Sequence, residues 1–223
     1  MQFEKSSLKY LKDLQNNNNR EWFTENKDKF KEAQNNAKEL FAAIRERLEA
    51  HDDIDKFKLF RIYRDVRFSK DKTPYQTHFA GSFSRLGNHL RGGYYLRIRP
   101  GESFLAGGFW QPEKDDILRI RKEIEMDASE MRDILHDENF KKHFQARFEG
   151  EELKSAPRGF DKNHPDIDLI RKKGFIAVRN FTDAEVLNAN FIDELDESYQ
   201  ALRPFFDYMS NVLTTNLNGE SIL

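Results

Sequence analysis

The sequence predicts an α+β domain, a mainly antiparallel sheet of about five strands packed with helices, with a long helix near the N-terminus. Three observations lead there. Apolar residues recur at helical spacing in the first fifty residues and again after residue 112. Between Phe57 and Trp110 the period changes to two, with aromatic and β-branched residues alternating with polar ones and glycines between the runs. Strands and helices do not alternate regularly, which argues against a doubly wound parallel sheet.

Taken in order, Ser7 is a candidate cap for a short helix with Leu8, Leu11 and Leu14 on one stripe, broken by the run Asn16–Asn19. A second helix is expected from near Arg20 to His51, about 30 residues and roughly 45 Å long. Phe23, Phe30, Ala33, Ala37, Leu40, Phe41, Ile44 and Leu48 form its apolar face, and Asp52–Asp53 marks its end. Four strands follow, at about 57–64, 78–85, 93–99 and 103–110. Pro100–Gly101 has the chemistry of a tight turn and predicts a hairpin of the last two. On the strand 93–99, Tyr94, Leu96 and Ile98 read as core, while Tyr95, Arg97 and Arg99 take the other face. Pro112 suits a helix start, with Ile117, Ile120 and Ile124 on one side. Shorter helices are expected at about 128–136 and 138–148, then a loop over 149–165 and a fifth strand at 174–181. The last segment returns to helix, interrupted at Pro204. No clear linker or repeat divides the chain, so one domain over 1–223 is expected.

Twenty phenylalanines compensate for a modest hydrophobic content of 38%, because each ring buries a large area. There is no cysteine, so thiolate metal sites and cysteine nucleophiles are excluded. No apolar run reaches the roughly 20 residues that span a bilayer. The stretch MQFEKSSLKYLKDL lacks the apolar core of a secretory signal, so a cytoplasmic protein is expected, with no membrane partner.

The net charge of −2 conceals a strong asymmetry. Residues 57–99 hold ten Lys/Arg against two Asp/Glu, and residues 154–179 hold seven against three; the other segments are acidic. The densest part is FRIYRDVRFSKDKTPY, with Arg61, Arg64, Arg67, Lys70 and Lys72 opposed only by Asp65 and Asp71. Arginine forks and lysine point charges suit a phosphate or carboxylate. The same spacing also suits structural ion pairs with the acidic helices. In a strand, Arg61 and Arg64 would face opposite ways, so the loop cations and one of these arginines are expected to form any site. Tyr75, Tyr95 and Trp110 are candidates to cover a ring or apolar part of the ligand, and Lys72, Lys154 and Arg158 are second-rank cations. Asp65 is the candidate base if there is catalysis, with an arginine stabilising charge. Gly107–Gly108 reads more readily as close packing under aromatics than as a ligand approach. His136 and His143 are expected at the surface, and no histidine pair suggests a metal site.

The nucleotide-loop, dinucleotide, nucleophile-elbow and zinc-protease motifs are all missing, which narrows the field and leaves any cofactor unknown. The leading expectation is a pocket for a small anionic ligand, phosphorylated or nucleotide-like. One alternative is nucleic-acid binding through the basic sheet face. Another is a non-catalytic interaction protein docking an acidic partner.

The succession NNNNREWF, FRIYRDVRFSKDKTPYQTHF, GGYYLRIRPGESFLAGGFWQPE and LKSAPRGFDKNHPD resembles the family catalogued as domain of unknown function 2461, over nearly the whole chain. The resemblance implies a single-domain cytosolic protein and no particular reaction. It places the family's motif positions here at Arg61, Arg64, Asp65, Arg67, Lys70, Lys72, Pro74, Tyr75, Gly108, Trp110, Pro112, Pro157 and Gly159.

Overall fold

A computed structural model describes all residues from Met1 to Leu223. Its antiparallel sheet has five strands, β1 (Ile54–Leu59), β2 (Phe79–Arg85), β3 (Gly93–Ile98), β4 (Ser103–Phe109) and β5 (Phe175–Phe181). Each strand lies beside its neighbour in sequence, in the order β1-β2-β3-β4-β5. Helices α1 (Lys5–Asn16), α2 (Arg20–Glu25) and α3 (Lys27–Glu49) precede it. Helices α4 (Lys114–Met126), α5 (Ser129–His136), α6 (Glu138–Phe144) and α7 (Ile167–Ile170) lie between β4 and β5. Helices α8 (Asp183–Val186), α9 (Phe191–Ala201) and α10 (Arg203–Thr214) follow. No helix is long and apolar enough to cross a membrane.

The chain divides into two compact units. The first comprises Met1–Phe83, Tyr95–Leu105 and Asn180–Glu197; the second comprises Ser84–Tyr94, Ala106–Arg179 and Ser198–Leu223. In the first, α1 packs on α3, burying Leu8, Leu11 and Leu14 on one and Ala33, Ala37, Leu40 and Ile44 on the other. Ser7 is not the cap expected of it. It is buried inside α1, whose start is fixed from α3. The Glu4 N–H donates to Asn36 Oδ1 (2.9 Å), and Asn36 Nδ2 donates to the Gln2 carbonyl (3.1 Å). The single helix expected over 20–51 is two, because Asn26 interrupts it. The Asn26 amide turns back to donate to the Trp22 carbonyl (3.0 Å), and its backbone leaves helical geometry at φ −105°, ψ 21°. Beyond the join, Phe41 of α3 stacks near Phe57 (6.0 Å) and Phe83 (6.2 Å).

The first strand starts and ends earlier than its pattern suggests. Continuous pairing stops near Phe60, whose N–H donates to the Ala80 carbonyl (2.8 Å); beyond it only an isolated bridge joins Tyr63 to Tyr75. On β3 the expected alternation holds: Tyr94, Leu96 and Ile98 are buried, and Tyr95, Arg97 and Arg99 are half-buried. Gly101, at φ +74°, makes the turn into β4.

Aromatic rings fill the second unit. Phe148 lies 4.6 Å from Phe205 and 5.6 Å from Phe175, and Tyr94 meets Tyr199 and Phe206 edge-on at 5.0 Å. The glycine pair in β4 serves close packing. A methyl at Gly107 would sit 2.2 Å from Leu202 Cδ1, and one at Gly108 would sit 2.1 Å from the Phe175 carbonyl oxygen. His136 is exposed as expected, but His143 is 7% exposed and not a surface residue. Its Nδ1 lies 3.0 Å from Arg179 Nη1 and 3.1 Å from Ser198 Oγ, polar contacts that make burial of an imidazole tolerable. The four-residue helices α7 and α8 were not expected. For α8 the signal was there, since Thr182 and Glu185 form a reciprocal capping box.

Candidate functional site

The basic run belongs to the first unit and leaves β1 as an excursion from Phe60 to His78. Its base is pinned on both sides. The Arg64 N–H donates to the Pro74 carbonyl (2.9 Å) and the Gln76 N–H to the Ile62 carbonyl (2.7 Å). Asn18 accepts from the Tyr75 N–H (3.2 Å) and donates to the Tyr75 carbonyl (2.9 Å). The Tyr75 ring is buried and stacks on Phe23 at 3.9 Å with planes 12° apart. Tyr75 therefore anchors the excursion from within the core and is not placed to cover a ligand.

Most of the loop's cations are engaged within the loop. Arg64 donates to Asp71 Oδ2 (2.6 Å), to the Thr73 carbonyl (3.0 Å) and to Thr73 Oγ1. Hydrogen bonds from Thr73 and Arg64 hold the Asp71 carboxyl down at about 2. Arg67 grips Asp65 with its Nε and Nη2, the latter at 2.6 Å. Lys72 Nζ donates to the Val66 (2.9 Å) and Arg67 (3.3 Å) carbonyls. Lys70 is exposed and makes no hydrogen bond or ion pair. The bonds from Arg67, and to a lesser degree the charge of Arg61, keep the Asp65 carboxyl below its ordinary range. That makes it a weaker base than a free aspartate.

Arg61 is different. It forms no hydrogen bond or ion pair, and it lines a cavity of about 670 Å³ with Lys58, Leu59, Phe60, Gln76, His78, Ala80 and Tyr95. No carboxylate is in that lining. Lys58 sits over the Phe60 ring at 5.3 Å, and Phe60 and Tyr95 have ring centres 6.4 Å apart. His78 is lowered to about 4, first by burial and then by the charges of Arg97 and Arg99, so it is neutral near pH 7. Burial raises the Tyr95 phenol. Arg97 and Arg99 both reach Glu102 Oε2, at 3.5 and 2.9 Å, and Arg97 lies 4.4 Å over the Phe104 ring. Glu102 thus offsets one of these two positive charges on that sheet face.

Of the residues singled out from sequence, Arg61 and Tyr95 meet in the cavity. Arg64, Asp65, Arg67, Lys70 and Lys72 are in the loop outside its lining. Trp110, Lys154 and Arg158 are exposed and belong to the second unit. Lys58, Gln76 and His78 were missed as site residues. Alternation gave a signal for His78, which has the same parity as Ala80 at the start of β2, and both line the cavity. For Gln76 there was no local signal, since its place depends on the Tyr63–Tyr75 bridge. A cationic, carboxylate-free concavity with two aromatic rings can hold a small anion that carries an apolar or ring portion.

No curated protein and no solved structure matches this chain. A family model described as "Conserved hypothetical protein (DUF2461)" matches residues 6–208, most of the chain and all of the excursion and cavity lining. By that match the chain belongs to the DUF2461 family.

Proposed function

We propose that the first unit binds a small anionic ligand, phosphorylated or nucleotide-like, in the cavity beside β1 and β3, with Arg61 as the charge anchor. The observation that carries this reading is the contrast between Arg61 and its neighbours. Arg64, Arg67 and Lys72 spend their hydrogen bonds on the loop, while Arg61 makes no hydrogen bond or ion pair and belongs to the lining of a cavity without acids. A guanidinium in that position binds phosphate or carboxylate through two parallel hydrogen bonds. Lys58 adds a second charge. No catalytic step is assigned to Asp65, which lies outside the lining and is held by Arg67. A cytoplasmic setting, where phosphorylated metabolites are made and used, accords with this reading.

The test is a thermal-shift and calorimetric screen of anionic metabolites against the whole chain. A ligand is expected whose affinity drops about ten- to hundred-fold in Arg61→Ala, the loss of one charge-assisted contact. A screen without any binder, or equal binding by Arg61→Ala, would overturn the proposal.

One observation favours a second reading, the docking of an acidic partner. Phe68 is 96% exposed on the braced basic loop, beside Arg67 at 5.9 Å and next to the uncommitted Lys70. An exposed ring flanked by cations suits a contact surface. Phe68→Ala would then abolish association with an acidic partner while leaving ligand binding intact. Retained association would remove this second reading. Extended nucleic acid is the less favoured alternative, because Glu102 answers Arg97 and Arg99 on the sheet face.

A further inference from the structure

Building on the anion site proposed above, we infer that the cavity takes a nucleoside monophosphate, with Arg61 meeting the phosphate, Gln76 and His78 meeting the edge of the base, and Phe60 and Tyr95 contacting its ring.

The lining contains two kinds of polar group, and a phosphate needs only one of them. Arg61 and Lys58 are cations that donate hydrogen bonds, which suits phosphate oxygens. Gln76 and His78 are different. The Gln76 side chain makes no hydrogen bond within the protein, and its amide offers both a donor and an acceptor. His78 also makes none, and burial with Arg97 and Arg99 keeps it neutral, again one donor and one acceptor. The acceptor nitrogen of a neutral imidazole opposes a phosphate oxygen. A heteroaromatic base presents donors and acceptors side by side along its edge, and a side-chain amide pairs with such an edge through two bonds. These groups share the cavity with two rings, Phe60 exposed and Tyr95 half-buried, and any base has a face to lay against a ring. The volume of about 670 Å³ lies within the ~300–1,000 Å³ of ligand pockets and leaves room for base, sugar and one phosphate.

The experiment is isothermal titration of the whole chain with inorganic phosphate, ribose 5-phosphate, the four common nucleoside monophosphates and their nucleosides. At least one monophosphate is expected to bind about tenfold or more tighter than ribose 5-phosphate and than its own nucleoside. Gln76→Ala is expected to remove the advantage over ribose 5-phosphate without changing ribose 5-phosphate binding. Arg61→Ala is expected to weaken both compounds. If ribose 5-phosphate binds as tightly as every monophosphate, the anion site stands and the nucleotide inference falls. If no phosphorylated compound binds, the nucleotide inference falls, and the anion site is decided by the metabolite screen above. Should Gln76→Ala not fold, as judged by its circular dichroism melt, magnetisation transfer between the bound base and the ring protons of Phe60 or Tyr95 in the unaltered protein serves instead. Its absence from a bound monophosphate would overturn the inference.

Discussion

At the scale of the residue, two arginines three positions apart in sequence do opposite work. Arg64 is 19% exposed and supplies hydrogen bonds to Asp71 and to Thr73, so its guanidinium holds the loop's shape. Arg64→Ala is expected to lower unfolding free energy by about 1–3 kcal/mol, since it strips partners from groups the fold positions around it. Arg61→Ala should fall within about ±0.5 kcal/mol, as for an exposed residue outside any network. Urea denaturation of the two variants checks both values. His78 adds a pH signature. The folded protein holds its pKa at about 4, below the ordinary 6.5, so the unfolded chain binds more protons between those values. Stability from this group is complete above about pH 6.5 and is lost as the pH falls through about 4. His78→Gln should therefore flatten the decline of stability between these limits relative to the unaltered protein, read by denaturation at a series of pH values. An unchanged profile would show that His78 is not held neutral. Strand alternation was expected to send Arg61 and Arg64 opposite ways, but the strand ends before either of them, and Arg64 is set apart by its bonds to Asp71 and Thr73 within the loop. Which arginine faced a cavity was not legible, because that depends on Tyr75 stacking on Phe23, a contact made across fifty residues of chain.

At the scale of the element, the sheet was the most legible part. The alternation of Tyr94, Leu96 and Ile98 with Tyr95, Arg97 and Arg99 records one face packed and one face open, and period two leaves no other assignment. The helix ends were less so. The join at Asn26 needs a side chain to turn back on the Trp22 carbonyl, which apolar spacing does not report. The β4 glycines carry the sharpest prediction here. Gly108 has φ +139°, and a methyl on it would meet the Phe175 carbonyl oxygen. Gly108→Ala should cost about 3 kcal/mol or more, combining backbone strain with overpacking. Thr182→Ala, which removes one half of the capping box at α8, should cost only about 1 kcal/mol. Thermal melts of both should show the first far below the second; the reverse order would mean that β4 accommodates a methyl by moving.

At the scale of the whole molecule, a net charge of −2 combines with a basic stretch over residues 57–99, ten cations to two acids. A small ligand held at Arg61 touches few of those cations. Its affinity should fall only a few-fold for each tenfold rise in salt, whereas a polyanion that displaces many counterions should lose several orders of magnitude. Titration at two ionic strengths distinguishes them, and a steep loss would favour nucleic acid. The strand order has its own consequence, in time rather than in space. Strands β1 to β4 pair with sequence neighbours across connections without helices, while β5 reaches β4 only after four helices. Closing that longer segment costs more chain entropy before its contacts can compensate. During refolding, amides of β2 and β3 should gain protection from hydrogen exchange before those of β5. The excursion from Phe60 to His78 closes between β1 and β2, so its cavity would be complete while the C-terminal strand is still joining.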